Sequence, residues 1–156
     1  MKKCIVDFQE AGVKTWIVTG DKNSTAKSIG FTSGVFNPHR SIIQIDDIAT
    51  SDSDRKQLIA SLADGHSDLL ISGKAICSLV ESDLSTDRLK AIVDSFMKVQ
   101  GLVVFRASPS EKAKLVRLVR TNRPDITTLA IGDGANDVNM IQQAHVGIGI
   151  IGKEGT

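Results

Sequence analysis

The stretch Leu129-Ala130-Ile131-Gly132-Asp133-Gly134-Ala135-Asn136-Asp137-Val138-Asn139-Met140 decides how the rest of this chain is read. An apolar run of strand character ends on an aspartate set between two glycines. A second carboxylate follows four residues later, where an apolar-patterned helix is expected to begin. Gly134 permits a sharp turn and a close approach of backbone. Asp133 is expected to project from the strand tip, and Asn136 or Asp137 to cap the helix. Clustered carboxylates on a carbonyl-rich turn suit a hard cation such as Mg²⁺, which takes one or two carboxylates with phosphate oxygens and water. The run therefore points to phosphate chemistry supported by Mg²⁺.

Outward from this run the chain alternates strand and helix signals. Residues 2–11 read as a helix with Cys4, Ile5, Phe8 and Ala11 on one face, ended by Gly12. Thr15–Thr19 reads as a short buried parallel strand. Asn23 or Ser24 is positioned to cap a helix running to about Ser33. Residues 34–100 are read as a variable insertion. It contains a strand over Ser41–Ile45, a helix over Ser53–Ala63, a strand over Leu69–Ser72 turned by Gly73-Lys74, and a helix over Leu84–Met97. Leu102–Phe105 is a buried strand. Ser108-Pro109-Ser110-Glu111 is a capping box with proline at the first helical position, opening a helix to about Thr121. Thr127–Ile131, a helix over Asn136–Ala144 and a strand over Val146–Ile150 complete the series. Alternation of this kind predicts an α/β fold with a mostly parallel sheet and flanking helices, in one domain covering residues 1–156.

Composition places the chain among ordinary globular proteins. It has 156 residues, 41% of them hydrophobic and 24% charged, with a net charge of +1. That balance gives no reason to expect a nucleic-acid partner. No apolar run approaches the ~20 residues of a membrane helix, and the N-terminus reads as an amphipathic helix, not a signal peptide. Cys4 and Cys77 have no metal or redox spacing and are expected to be buried, reduced thiols.

In an open α/β sheet, ligands gather at the carboxyl ends of the strands. Thr19-Gly20-Asp21, Arg106 with Lys112, and Asp133 all fall at such ends. The Thr19 hydroxyl and the Gly20 N–H are suited to a phosphoryl oxygen. Lys112 sits in the first turn of its helix, where the dipole prefers anions; a cation there makes sense beside a bound phosphate. Asp133 is expected to hold Mg²⁺ directly. Asp137 is expected either to bind the metal or to orient Asn136 and Lys112, its plain alternative being a helix cap.

The Gly132–Met140 run resembles the fourth motif of the haloacid dehalogenase superfamily, and in its Gly-Asp-Gly-Ala-Asn-Asp form that of P-type ATPases. Its continuation through Ile150 is similar to the P4 class, the phospholipid flippases. Ala11–Lys22 resembles that class's second motif and Phe105–Lys112 its third. The resemblance implies that Thr19, Gly20, Asp21, Arg106, Lys112, Asn136 and Asp137 bind ATP or its phosphate, with Thr19 and Lys112 catalytic. It implies that Asp133 and Asp137 hold Mg²⁺, and that Arg106 contacts the nucleotide. Ser24, Phe105, Glu111 and Ile151 depart from residues common in the class. The family's phosphorylated aspartate lies in an Asp-Lys-Thr-Gly-Thr motif, and no such string occurs here.

The expectation is therefore a haloacid-dehalogenase-like, Rossmann-like fold lacking the strand that carries that aspartate: the C-terminal part of a phosphorylation domain, with Met1 an introduced start. Such a piece is expected to be inactive alone. Its parent would be an integral membrane ATPase with this domain on the cytosolic side. The partners implied are a phospholipid, through an absent membrane domain, and an accessory subunit. The alternative readings are a soluble haloacid-dehalogenase-type phosphatase and a non-enzymatic regulatory piece.

Four other patterns are set aside. Gly147-Ile148-Gly149-Ile150-Ile151-Gly152 matches the dinucleotide fingerprint, and with Lys153 nearly a P-loop, but Glu154 stands where Ser or Thr is required. Asn23-Ser24-Thr25 is a glycosylation sequon by spelling only. Lys114, Arg117, Arg120 and Arg123 read as a solvated helix face. His39, His66 and His145 lack metal-ligand spacing.

Overall fold

The computed structural model describes residues 2–47 and 52–151. The elements run α1 (Lys2–Glu10), β1 (Trp16–Val18), α2 (Asn23–Ser33), β2 (Ile42–Ile45), α3 (Asp52–Leu62), β3 (Asp68–Ser72), α4 (Gly73–Val80), α5 (Thr86–Lys98), β4 (Leu102–Phe105), α6 (Pro109–Asn122), β5 (Leu129–Gly132), α7 (Val138–Gln143) and β6 (Val146–Gly149). A single 3₁₀ turn, Ala135–Asp137, separates β5 from α7.

All strand pairs are parallel, but they form two sheets. One has four strands in the order β1-β4-β3-β2; the other is the pair β5-β6. Residues 34–100 supply β2 and β3 to the larger sheet. Its central strands are buried on both faces, as parallel strands between helices must be. Leu69, Ile71, Leu102 and Val104 face Leu62, Ile76, Leu79, Ile92 and Phe96 of α3, α4 and α5. Leu70, Val103 and Phe105 point the other way, onto Ala26, Val35 and Phe36. Strand period two thus divides the core into two layers.

Among the described residues β1 pairs only with β4, and β5 only with β6. The two sheets are joined through helices instead. α6 packs on α7, and α7 on β5 and β6. Arg120 Nη1 also donates to the Gln143 carbonyl at 2.6 Å. α7 covers the face of the small sheet that bears Ala130 and Gly147; a Cβ at Gly147 would lie 2.5 Å from Ile141. The opposite face presents the cross-strand pairs Leu129–Val146 and Ile131–Ile148, with Leu129 and Ile131 56% and 52% exposed.

Several local expectations change. Gly73-Lys74 is no turn: Ser72 Oγ accepts from the Ala75 N–H at 3.0 Å and α4 starts at once. Lys22, and neither Asn23 nor Ser24, occupies the N-cap position of α2, with no side-chain cap. Neither Asn136 nor Asp137 makes a side-chain cap on the helix after β5. The Gly147–Gly149 part of the dinucleotide-like string is strand β6, so it is not a phosphate turn; Lys153 and Glu154 lie outside the described residues. Cys4 is exposed and Cys77 half-buried, so neither is the buried thiol expected. Phe8 is half-exposed because only Ile5 of its face reaches the core. The basic stripe of α6 is largely paired: Lys114 with Glu81, Arg123 with Asp94 and Asp125, and Arg120 as above. Among the described residues no helix is long and apolar enough to cross a membrane.

Candidate functional site

The carboxyl ends of β1 and β4 are laced together by backbone. Pairing continues past β1, with the Thr19 N–H donating to the Val104 carbonyl at 2.9 Å. The Ala107 N–H then donates to Thr19 O at 3.0 Å and the Arg106 N–H to Asp21 O at 2.8 Å. Within the loop, Thr19 Oγ1 donates to Asp21 Oδ2 at 2.9 Å and accepts from the Asp21 N–H at 3.1 Å. These bonds fix Thr19-Gly20-Asp21 against the turn into α6. Thr19 is half-buried, whereas Gly20 and Asp21 are exposed.

Arg106 is the turn residue, with φ at 49°. A side chain in the left-handed region costs about 1–2 kcal/mol, and such strain is commonly kept at functional loops. The capping box follows: the Glu111 N–H donates to Ser108 Oγ at 3.3 Å and the Ser108 N–H to Glu111 Oε2 at 2.8 Å. That start orients Lys112 inward.

Lys112 Nζ donates to Asp137 Oδ1 at 2.8 Å, and both side chains are more than 90% buried. This ion pair joins the α6 turn to the turn after β5. Asp137 is seated there because residue 132 has no side chain: a Cβ at Gly132 would lie 2.3 Å from Asp137 Cβ. Its carboxylate faces Lys112, which is why it caps no helix. Asp133 is exposed beyond β5. Asn136 lies back over Gly134, where a Cβ would meet its Oδ1 at 2.3 Å.

The structure thus brings Lys112 and Asp137 into contact, and Thr19 with Asp21. It ties the Arg106 backbone to Asp21 while the Arg106 side chain stays exposed. No cluster of three or more metal-ligating side chains occurs among the described residues. Mg²⁺ needs only one or two protein carboxylates when phosphate and water complete its shell. Asp133 and Asp137 therefore fit that ion in kind, with one Asp137 oxygen shared with Lys112. His145 is structural: its Nδ1 accepts from the Thr128 N–H at 3.1 Å. Depressions of about 720 and 510 Å³ are lined by none of these residues.

One element beside the site is hidden in the sequence: α4, which begins against the α6 turn. Its signal is Ser72 three residues before Ala75 with an apolar helix behind it, obscured by Gly73.

Comparison with known proteins identifies the family. A family model for haloacid dehalogenase-like hydrolases matches residues 2–151. The chain is 38% identical over 159 residues to phospholipid-transporting ATPase 1 of Arabidopsis thaliana, covering 98% of this chain and 13% of the relative. It is 34% identical over 175 residues to the phospholipid-transporting ATPase dnf1 of Schizosaccharomyces pombe, covering 93% of this chain and 11% of that one. Against phospholipid-transporting ATPase 11C of Mus musculus it is 34% identical over 173 residues, 93% of this chain and 15% of the relative. The chain spans only 11–15% of these relatives' length.

Proposed function

The chain belongs to the haloacid dehalogenase-like hydrolases, and from that premise we propose that it is part of the cytosolic phosphorylation domain of an ATP-driven, phospholipid-translocating P4-type ATPase. Its task is to hold the phosphoryl group and Mg²⁺ beside an aspartate supplied by another segment of the same protein.

The observation that carries this reading is the buried Lys112–Asp137 pair, set where the two sheets part. β1 and β5 each keep one edge without a partner strand among the described residues. In the P-type ATPases that the chain resembles, the strand bearing the phosphorylated aspartate lies between these two, and its carboxyl end would then approach Thr19, Lys112 and Asp133. That is where a phosphorylated aspartate is needed.

Each side chain then has a chemical task. The Gly20 N–H donates to a phosphoryl oxygen, and the Thr19 hydroxyl does so on exchanging its bond to Asp21 Oδ2 for one to the phosphoryl group. The Lys112 ammonium, held in place by Asp137, compensates the charge of the transferring group. Asp133 and Asp137 would hold Mg²⁺, which supplies further charge neutralisation when bound. Exposed Arg106 and Asp21 are available to the nucleotide, and Asn136 to the phosphate. Phosphoryl transfer needs mainly positioning and electrostatic support, and this arrangement offers both without a nucleophile of its own.

The test has two parts. The parent reading frame should encode membrane spans and an upstream Asp-Lys-Thr-Gly-Thr; a short frame without them would favour a soluble phosphatase. The purified chain incubated with labelled ATP and Mg²⁺ should acquire no acid-stable, hydroxylamine-sensitive label. Labelling of this chain alone would overturn the proposal.

A further inference from the structure

Gly73 belongs to none of the motifs above. It is the first residue of α4, directly after β3. β3 and β4 are parallel neighbours in register from Leu69–Leu102 to Ser72–Phe105. Their helices, α4 and α6, therefore start side by side at the carboxyl edge of the sheet and pack together.

At that edge the backbones meet without room for a side chain. A Cβ on Gly73 would lie 2.8 Å from Ala107 Cα, 3.0 Å from the Arg106 carbonyl oxygen and 2.6 Å from Glu111 Oε2. The first two are backbone atoms and cannot swing aside. The third is already committed, since Glu111 Oε2 accepts the Ser108 N–H at the start of α6. The Glu111 carboxylate thus lies against the N-terminal ends of both helices, where negative charge is favoured. Lys112 is the next residue, and its reach to Asp137 depends on where this turn sits.

We infer that Gly73 is a positioning residue for the Arg106–Lys112 turn. Its bare backbone is the seat on which the strained Arg106 and the capping box rest. A side chain there pushes the turn off the sheet and draws Lys112 away from Asp137. The functional meaning of this rests on the phosphate reading of Lys112 given above; the geometric claim does not.

The test is the acetylation rate of Lys112 in this 156-residue chain, followed peptide by peptide by mass spectrometry. Buried and paired, Lys112 should react slowly beside exposed Lys27 and Lys90. In Gly73→Ala its rate should rise by about tenfold, the effect of inserting one methyl group where no space exists. Rates at Lys27 and Lys90 should not change. Gly30→Ala is the control, because its Cβ would strike the Phe36 ring at 2.4 Å in a different part of the core. Compared at equal fraction folded, it should leave Lys112 protected. Should Gly73→Ala not fold, Glu111→Ala takes its place: it strips the carboxylate from the seat and should expose Lys112, while Glu111→Gln should not. Unchanged Lys112 protection in the foldable variants, or equal exposure in Gly30→Ala, would overturn the inference. The labelling uses no ATP, so failure of the phosphate reading would leave its result standing, and the converse also holds.

Discussion

Lys112 and Asp137, 25 residues apart, form a buried ion pair with Nζ 2.8 Å from Oδ1, and it ties together two segments that share no sheet. Removing one member leaves a charge in the interior without a partner. Lys112→Met should therefore lose about 3–5 kcal/mol of stability, read from the midpoint and slope of urea unfolding. The double variant Lys112→Met/Asp137→Asn should recover much of that loss. Equal stability of Lys112→Met and the parent chain would mean that the pair is not buried in solution.

The open edge of β5 and the exposed Leu129–Val146 and Ile131–Ile148 pairs invite association, since an unpaired apolar strand is a template for another chain. Sedimentation velocity should show self-association that grows with concentration. Ile131→Lys should weaken it about tenfold or more, because a charged side chain on an edge opposes pairing. A monodisperse monomer at high concentration, with high thermal stability, would contradict this.

Arg106 holds φ at 49°, so its substitution separates backbone strain from side-chain chemistry. Arg106→Gly and Arg106→Ala both delete the guanidinium, but only glycine relieves the strain. The glycine variant should be the more stable by about 1 kcal/mol in thermal unfolding. In the intact ATPase proposed above, both should weaken nucleotide binding to a similar degree.

Asp125 accepts hydrogen bonds from Arg123, which hold its carboxyl at about 2 against an ordinary 3.8, with desolvation opposing. Glu81 is lowered for the same kind of reason, first by its hydrogen bond from Lys114. Both acids bind a proton more readily in the unfolded chain, so acid favours unfolding. Their stabilising contribution is complete above the ordinary carboxylate range. Asp125's share is lost as pH falls from about 4 to about 2. The effect is small because both groups are exposed. Acid unfolding of Asp125→Asn should show a shallower loss of stability over that interval; an unchanged slope would count against the pairing.

Elements with strong local signals are legible from neighbouring residues alone. Leu102–Phe105 is the strand expected, and the Ser108 capping box starts α6 with both reciprocal bonds made. α4 is not legible in this way, because glycine after a strand reads as a turn unless a neighbouring backbone is known to require it. Pairing of the basic stripe is invisible for a similar reason: Lys114 and Arg123 meet Glu81 and Asp94, which belong to α4's C-cap and α5. The Gly132–Met140 run raises the expectation of phosphate chemistry, yet it does not say which carboxylate faces the lysine.

Local sequence by itself determined the alternation of strands and helices, the parallel class and the identity of the chemical groups, because period, caps and glycine spacing act over a few residues. Tertiary structure alone decided that the strands divide into two sheets, that α6 and α7 hold them together, and that Asp137 turns to Lys112 instead of capping a helix. Those outcomes depend on contacts between segments far apart in the chain, where hydrogen-bond partners and buried charges are matched only after the layers have packed.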